Sequence, residues 1–286
     1  MIEVLRPGPL TTVQDLGRPG YAHLGVGRSG AADRASLRLA NRLVGNPEGA
    51  AGLEITLGGF AARFGARAVV AVTGAPAPVR LAGRDIAPYG PVEVGPGDEV
   101  ELGVPARGTR TYLAVRGGLD VPAVFGSRST DLLGGLGPPA VEAGTRLPVG
   151  ARTAGFPIVD LAPVPDLPAE LVLPARAGPR ADWFAPAALD LLGSRPYEVT
   201  AASNRVGLRL SGSSLRAAGV RELPTEGLVE GALQVPPNGQ PILMLADHPV
   251  TGGYPVLAVV PDAATDRAAQ ARPGSRITFR PVASRH

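Results

Sequence analysis

The sequence contains no cysteine and no lysine, and only 4% of its 286 residues are aromatic. Without cysteine, the chain cannot form disulfides, thiolate-ligated metal sites or a thiol nucleophile. Without lysine, it cannot supply a P-loop lysine, a Schiff-base lysine or a biotinylated lysine. All 28 Lys and Arg residues are therefore arginine, and a biotin carrier must be another protein.

Histidine is also scarce, since the chain has only His23, His248 and His286. A three-histidine metal site would need the last residue, and a Ser-His-Asp triad would have to use one of the other two. We therefore expect no metal site.

The charge balance and the hydropathy argue against two classes of partner. The net charge is only +3, and the arginines are scattered singly, so we expect no nucleic-acid partner. No stretch approaches the about 18 apolar residues of a membrane span, and the first residues lack a basic segment followed by an apolar one. We expect a cytoplasmic protein that does not contact a membrane.

Glycine (39 residues) and proline (31 residues) are abundant and separate many short β-branched runs. This pattern predicts a mostly β protein of barrels or sandwiches with a few short helices. Apolar periodicity predicts helices over Asp33–Val44, Asp182–Leu192 and Ala263–Ala271. A proline-rich stretch over 152–168 marks the boundary between the expected domains, 1–160 and 161–286.

The segment 11–21 places several polar groups between glycines, as binding loops often do. Gln14, Asp15 and Arg18 are its candidates for binding. The alternative is a turn in which these groups only satisfy their own backbone. Ser29 and Asp33 follow in a glycine-rich loop that offers an anion site, or simply a helix cap.

The segment 225–255 carries the highest density of candidate site residues. Two apolar strands flank the turn 236–240, and polar residues stand at the strand ends. Such groups could read the donors and acceptors of an amide, or they could form an Asx turn and a β-bulge. The candidates are Gln234, Asn238, Gln240, Asp247, His248, Thr251, Gly252, Gly253 and Tyr254.

Two arginine-containing loops, 203–210 and 127–131, combine guanidinium groups with hydroxyl or amide side chains. Asn204 and Arg205 in the first loop are candidates for clamping a carboxylate. Turn-stabilising side chains beside solvated arginines explain the same pattern equally well.

Seven motifs, in order along the whole chain, resemble the biotin-dependent carboxyltransferase family. This family was formerly called allophanate hydrolase subunit 2, and it includes KipA and the C subunit of 5-oxoprolinase. The motifs are TTVQDLGR at 11–18, SGAAD at 29–33, LEIT at 53–56, YLAVRGG at 112–118, SRSTD at 127–131, SNRVG at 203–207, and QVPPNGQPI through TGGYP at 234–255.

The resemblance implies two cyclophilin-like β-barrel domains and a KipI-like partner, the B subunit. It further implies an assembly with an A subunit that uses ATP to open 5-oxoproline to glutamate, with no activity of this chain alone. In such a site we expect Asp247 to do acid–base or carbonyl-orienting work. Gln234 and Asn238 would bind the lactam amide, and Gly252 with Gly253 would donate to an oxyanion.

Two other functions fit the same resemblance. The chain could be half of a biotin-dependent carboxyltransferase acting on a urea-like amide, with biotin on a separate carrier. It could also be a KipA-like regulator of its KipI-like partner. Val206 and Leu208, where many relatives have isoleucine and tyrosine, and Thr225, where they usually have serine, depart from the motif and leave the substrate open.

Overall fold

The computed structural model describes residues 1–164, 166–217 and 223–282. The chain divides into two compact units. The first comprises Met1–Arg18 and Ser29–Leu167, and the second comprises Pro19–Arg28 and the chain from Pro168 onward. The expected domain boundary at residue 160 stays a prediction, and the second unit also includes a short segment from near the N-terminus.

The first unit contains two antiparallel sheets. Their orders are β11-β1-β4-β9-β6-β7 and β2-β3-β10-β5-β8. The strands are β1 (Ile2–Pro7), β2 (Leu10–Gln14), β3 (Gly52–Thr56), β4 (Phe60–Phe64), β5 (Ala68–Gly74), β6 (Val79–Leu81), β7 (Arg84–Ile86), β8 (Pro91–Val94), β9 (Glu99–Leu102), β10 (Arg110–Val115) and β11 (Arg146–Leu147).

Strand β10 is buried along its whole length because both of its faces are covered. Leu113 and Val115 contribute to one apolar core, and Tyr112 and Ala114 contribute to another. Successive side chains of a strand point to opposite faces, which explains this alternation.

Helix α1 (Arg34–Leu43) packs on β5 and β10 and covers the second of these cores. Its first turn is capped by Asp33, whose Oδ1 accepts a hydrogen bond from the Ser36 N–H at 3.0 Å. Leu37 and Ala40 lie on the buried face, at the spacing expected of an amphipathic helix. The predicted helix is confirmed here.

The second unit is built on a closed barrel with the order β12-β19-β16-β17-β14-β13-β20, and β15 pairs with β18 in a separate two-stranded sheet. The strands are β12 (Glu170–Ala177), β13 (Tyr197–Val199), β14 (Gly207–Ser211), β15 (Glu226–Gly227), β16 (Ala232–Gln234), β17 (Ile242–Met244), β18 (Thr251–Gly252), β19 (Val256–Val259) and β20 (Arg276–Pro281).

Two helices belong to the second unit, α2 (Ala188–Ser194) and α3 (Asp262–Ala268). The prediction of a helix over 182–192 is wrong at its start. Residues Ala181–Trp183 form a 3₁₀ turn, and the α-helix begins only after Pro186. Proline disfavours helical backbone in the residue before it, which explains the interruption.

The expectation of a mostly β fold with a few short helices is confirmed, because the described ranges contain only three α-helices. None of these helices is long and apolar enough to cross a bilayer.

Leu191 and Leu192 of α2 offer a matched pair for testing the packing of this helix on β20. Leu192 is fully buried, whereas Leu191 is 39% exposed. We expect Leu192→Ala to lower the free energy of unfolding by about 2–5 kcal/mol because it leaves a cavity. Leu191→Ala should cost less than about 1 kcal/mol. Equal losses in urea denaturation would contradict this packing.

Tyr197 links the stability of the barrel to alkaline pH. Its ring packs edge-to-face on Phe279 at 6.0 Å, and its hydroxyl donates to the Ser213 carbonyl oxygen at 2.9 Å. Burial raises the pKa of Tyr197 from 10.0 to about 12. The folded state therefore holds this proton more tightly than the unfolded chain, and the resulting stability is lost as the pH rises from 10 to 12.

We expect the free energy of unfolding to fall over this alkaline range, with Tyr197 contributing up to about 1.4 kcal/mol per pH unit. The buried Tyr89 and Tyr112, whose pKa values are also raised, add to this decline, so only the comparison with a Tyr197 variant isolates the share of Tyr197. Tyr197→Phe should be less stable at neutral pH yet show a shallower decline above pH 10. Urea titrations at several pH values measure both quantities, and an unchanged slope in the variant would count against this assignment.

Candidate functional site

Three of the predicted residues meet on one face of the barrel, near the end of β16. The amide of Gln234 donates to the Tyr254 carbonyl oxygen at 3.1 Å. Gly252 lies directly over the Gln234 amide, so closely that a Cβ at this glycine would collide with Nε2. The structure therefore brings Gln234, Gly252 and Tyr254 together, and a side chain at position 252 would displace the Gln234 amide.

Two polar groups of this cluster have no partner within the described part of the chain. The Oε1 of Gln234 accepts no hydrogen bond there, and the N–H of the exposed Gly253 donates none. The Gln234 oxygen is an acceptor and the Gly253 N–H is a donor. Tyr254, whose side chain is half-exposed, directly follows Gly253. An amide presents the complementary pair, a C=O and an N–H.

An ion pair that the sequence did not reveal borders this cluster. Glu226 pairs with Gly252 in the two-stranded sheet, and its carboxylate is held by the guanidinium of Arg180. Arg180 also lies over the Trp183 ring, 5.7 Å from its centroid. The signals for these residues were weak: Trp183 is the only tryptophan, and Glu226 stands beside a departure from the family motif.

Asp247 lies elsewhere in the barrel. Gln234 pairs with Ile242 at the start of β17, whereas Asp247 follows the other end of that strand. Both of its carboxylate oxygens are bound by Arg205, at 2.8 Å from Nε and 3.0 Å from Nη2. The two side chains are almost completely buried.

This arrangement conflicts with the expectation that Asp247 does acid–base chemistry. A general acid or base must reach the proton that it transfers, and a buried carboxylate in a bidentate ion pair is already committed. The geometry instead gives the pair a positioning role, since it ties the loop before β14 to the loop after β17.

Four further candidates bond to backbone groups. Asn204 accepts from the Val206 N–H at 2.8 Å, and Asn238 accepts from the Gln240 N–H at 3.0 Å. The side chain of Gln240 bridges to the backbone of Gly212, and the His248 Nδ1 lies 2.8 Å from the Pro249 carbonyl oxygen. The Asn204 and Asn238 contacts are Asx turns, whereas Gln240 links its turn to a segment 28 residues away.

Thr251 is exposed and pairs with Gly227 in the small sheet. It is thus placed next to Gly252, and it is the least constrained of the predicted residues.

In the first unit, Asp15 organises the loop 127–131. Its carboxylate accepts four hydrogen bonds, from the hydroxyls of Ser127 and Ser129 at 2.6 Å each, from the Arg128 N–H at 2.7 Å and from the Gly17 N–H at 2.8 Å. A carboxylate with this many donors acts as a fixed anchor for the loop.

Gln14, Arg18 and Ser29 join the same loop. Gln14 and Ser29 both donate to the Thr130 carbonyl oxygen, at 2.9 and 3.2 Å. Arg18 is buried, donates to the Ser129 carbonyl oxygen and lies 3.8 Å from the Asp131 carboxylate. The structure therefore brings these predicted residues together, as anchors of 127–131.

A second buried network of the first unit lies under α1. The Glu54 carboxylate accepts from the Tyr112 hydroxyl at 2.7 Å and from the Ala32 N–H at 2.9 Å. Arg110 is its ion-pair partner, and the Tyr112 oxygen accepts from the Asp33 N–H at 2.8 Å. Burial and the neighbouring Glu54 charge raise the pKa of Tyr112 well above its ordinary value. This network fixes the start of α1.

The described residues contain no group of three or more acidic or histidine side chains that could hold a metal ion.

The chain resembles proteins of one known family. Residues 24–281 match the family described as carboxyltransferase domain, subdomain A and B. The chain belongs to this family. The matched range includes parts of both compact units of this carboxyltransferase domain.

Relatives of this carboxyltransferase domain have two kinds of name. The chain is 39% identical over 282 residues to the 5-oxoprolinase C subunit of Escherichia coli (strain K12), and the match covers 98% of this chain and 90% of that protein. It is also 34% identical over 310 residues to urea amidolyase of Lachancea kluyveri, covering 98% of this chain but only 17% of that protein.

A solved structure shows the same fold. The crystal structure of the K. lactis urea amidolyase matches with a TM-score of 0.91 and 33% identity, over 98% of this chain and 18% of that one. The domain thus occurs both as a separate subunit and within a much longer chain.

The buried ion pair of Arg205 and Asp247 generates a stability prediction. Arg205→Met should lower the free energy of unfolding by about 3–5 kcal/mol, because it leaves the buried Asp247 carboxylate without its partner. The double variant Arg205→Met/Asp247→Leu should recover much of this loss. Urea denaturation of both variants checks this, and a double variant that is no more stable than Arg205→Met would contradict the pairing argument.

Proposed function

We propose that this carboxyltransferase domain is the C subunit of an ATP-dependent 5-oxoprolinase, which hydrolyses 5-oxo-L-proline to L-glutamate together with its A and B subunits. The likeness to the 5-oxoprolinase C subunit over nearly the whole of both chains supports this assignment. The chain is not active alone, and it supplies part of the amide-binding site.

The observation that carries the proposal is the unpaired acceptor and donor beside Tyr254. The Oε1 of Gln234 can accept the lactam N–H, and the Gly253 N–H can donate to the lactam carbonyl oxygen. As water or another nucleophile adds to that carbonyl, negative charge grows on its oxygen, and a fixed backbone donor stabilises it. Gly252 keeps the backbone close to Gln234.

We assign nucleotide binding to the other subunits, among them a KipI-like B subunit. This chain lacks the lysine that a P-loop requires. Because the reaction consumes ATP, we place the complex in the cytoplasm. Arg205 and Asp247 hold the barrel loops in this scheme and do not touch the lactam.

The structural likeness to urea amidolyase favours a second candidate function. In that case the same acceptor and donor would bind a urea-like amide, and carboxyl transfer would use biotin on a separate carrier. The two functions differ in substrate but share the Gln234 site.

Reconstitution tests the proposal directly. The A and B subunits from the same cell should release glutamate from 5-oxoproline with ATP only when this chain is added. Gln234→Leu should lower this rate about tenfold or more, because it removes a positioned hydrogen-bonding group. Glu198→Gln, an exposed change on β13, should not affect the rate.

Full activity without this chain would overturn the assignment. A complex that is inactive on 5-oxoproline but carboxylates urea from carboxybiotin would support the second candidate instead. Wild-type activity in Gln234→Leu would show that Gln234 does not bind the lactam.

A further inference from the structure

A cavity of about 530 Å³ lies in the first unit, beside the loop that Asp15 anchors. Its volume falls within the range of small-molecule sites, about 300–1,000 Å³. One wall consists of small residues. Gly117 must remain bare because a Cβ there would collide with the Gly150 carbonyl oxygen. Backbone and small side chains therefore border the cavity along this wall.

Four charged side chains line this cavity, and none is used in the proposed function: Arg128, Arg152, Asp120 and Asp15. Arg128 is fixed by its own backbone, whose N–H donates to Asp15 at 2.7 Å. Its Nη2 donates to the Asp120 Oδ1 at 2.7 Å, whereas its Nη1 has no hydrogen-bond partner among the described residues. The Nη1 is therefore the donor that Arg128 can offer to a ligand in the cavity.

The second guanidinium, that of Arg152, is exposed and contacts no charged or polar group among the described residues. Asp120 keeps its second carboxylate oxygen available, since only Oδ1 is engaged. Asp15 also lines the cavity, but its four donors already occupy it. The cavity therefore offers two guanidinium groups and one carboxylate oxygen to a ligand.

We propose that this cavity binds an acidic amino acid, with one carboxylate at Arg128, the other at Arg152 and the ammonium group at Asp120. Guanidinium groups bind carboxylates through paired N–H donors, and a carboxylate oxygen accepts from an ammonium group. The two carboxylates and the ammonium group of the ligand thus each face a side chain of opposite charge. A phosphate would satisfy the arginines equally well but would leave Asp120 facing an anion.

The proposal concerns binding by the chain itself, and it stands whether or not the complex is a 5-oxoprolinase. Isothermal titration of the purified full chain with L-glutamate, up to about 10 mM, should show saturable binding. L-Glutamine, which lacks one carboxylate, and inorganic phosphate should each bind about tenfold more weakly or less.

Substitutions locate the site. Arg152→Gln and Arg128→Gln should each weaken glutamate binding about tenfold or more, because each removes a charged hydrogen bond. Arg67→Gln, a change of an exposed arginine of the same unit, is the matched control and should leave binding unchanged. Thermal unfolding of all three variants should match that of the wild type, since the side chains are partly or fully exposed.

Three results would overturn the proposal. They are the absence of saturable glutamate binding, binding that neither arginine variant weakens, and phosphate binding as tight as that of glutamate. None of them depends on ATP or on the partner subunits, so they are distinct from a failure of the reconstituted hydrolysis.

Discussion

The cost of burying a carboxylate without hydrogen-bond donors determines which polar groups of this domain can act on a ligand. Asp15, Glu54 and Asp247 are all buried, and each is held by hydroxyls, backbone N–H groups or arginine. These contacts fix the loop 127–131, the start of α1 and two loops of the barrel. The carboxylates therefore shape the fold, and they are poorly suited to moving protons.

The groups left for chemistry are neutral and few. Gln234 offers an acceptor and Gly253 a donor, on a face of the barrel closed by Gly252. This division of labour suits a subunit that binds and orients an amide while its partners activate it. The composition agrees with this division, because a chain without lysine cannot carry a biotinylated lysine or a P-loop lysine.

Local chemistry made part of this architecture predictable. The β-rich class follows from short apolar runs between glycine and proline turns, and α1 follows from its cap and its apolar spacing. The Asx turns at Asn204 and Asn238 are also local, and the turn-stabilising role of Asn204 is an alternative that the sequence offered. Gln234, Gly252 and Tyr254 all lie in segment 225–255, where the sequence placed most of the candidate site residues.

The remaining contacts could not be predicted because their partners are distant in sequence. Asp15 binds Ser127 across 112 residues, and Arg180 binds Glu226 across 46. Nothing near Asp247 indicated that Arg205 would occupy both of its oxygens. The sequence pattern also could not separate Asp247 from Gln234, since their placement at opposite ends of β17 depends on the strand register.

The most direct test of the central claim is a crystal structure of the assembled complex with 5-oxoproline or an unreactive lactam bound. The account predicts the lactam N–H within hydrogen-bond distance of the Gln234 Oε1 and the lactam carbonyl oxygen at the Gly253 N–H. A lactam bound away from this face of the barrel, with Gln234 and Gly253 untouched, would contradict it.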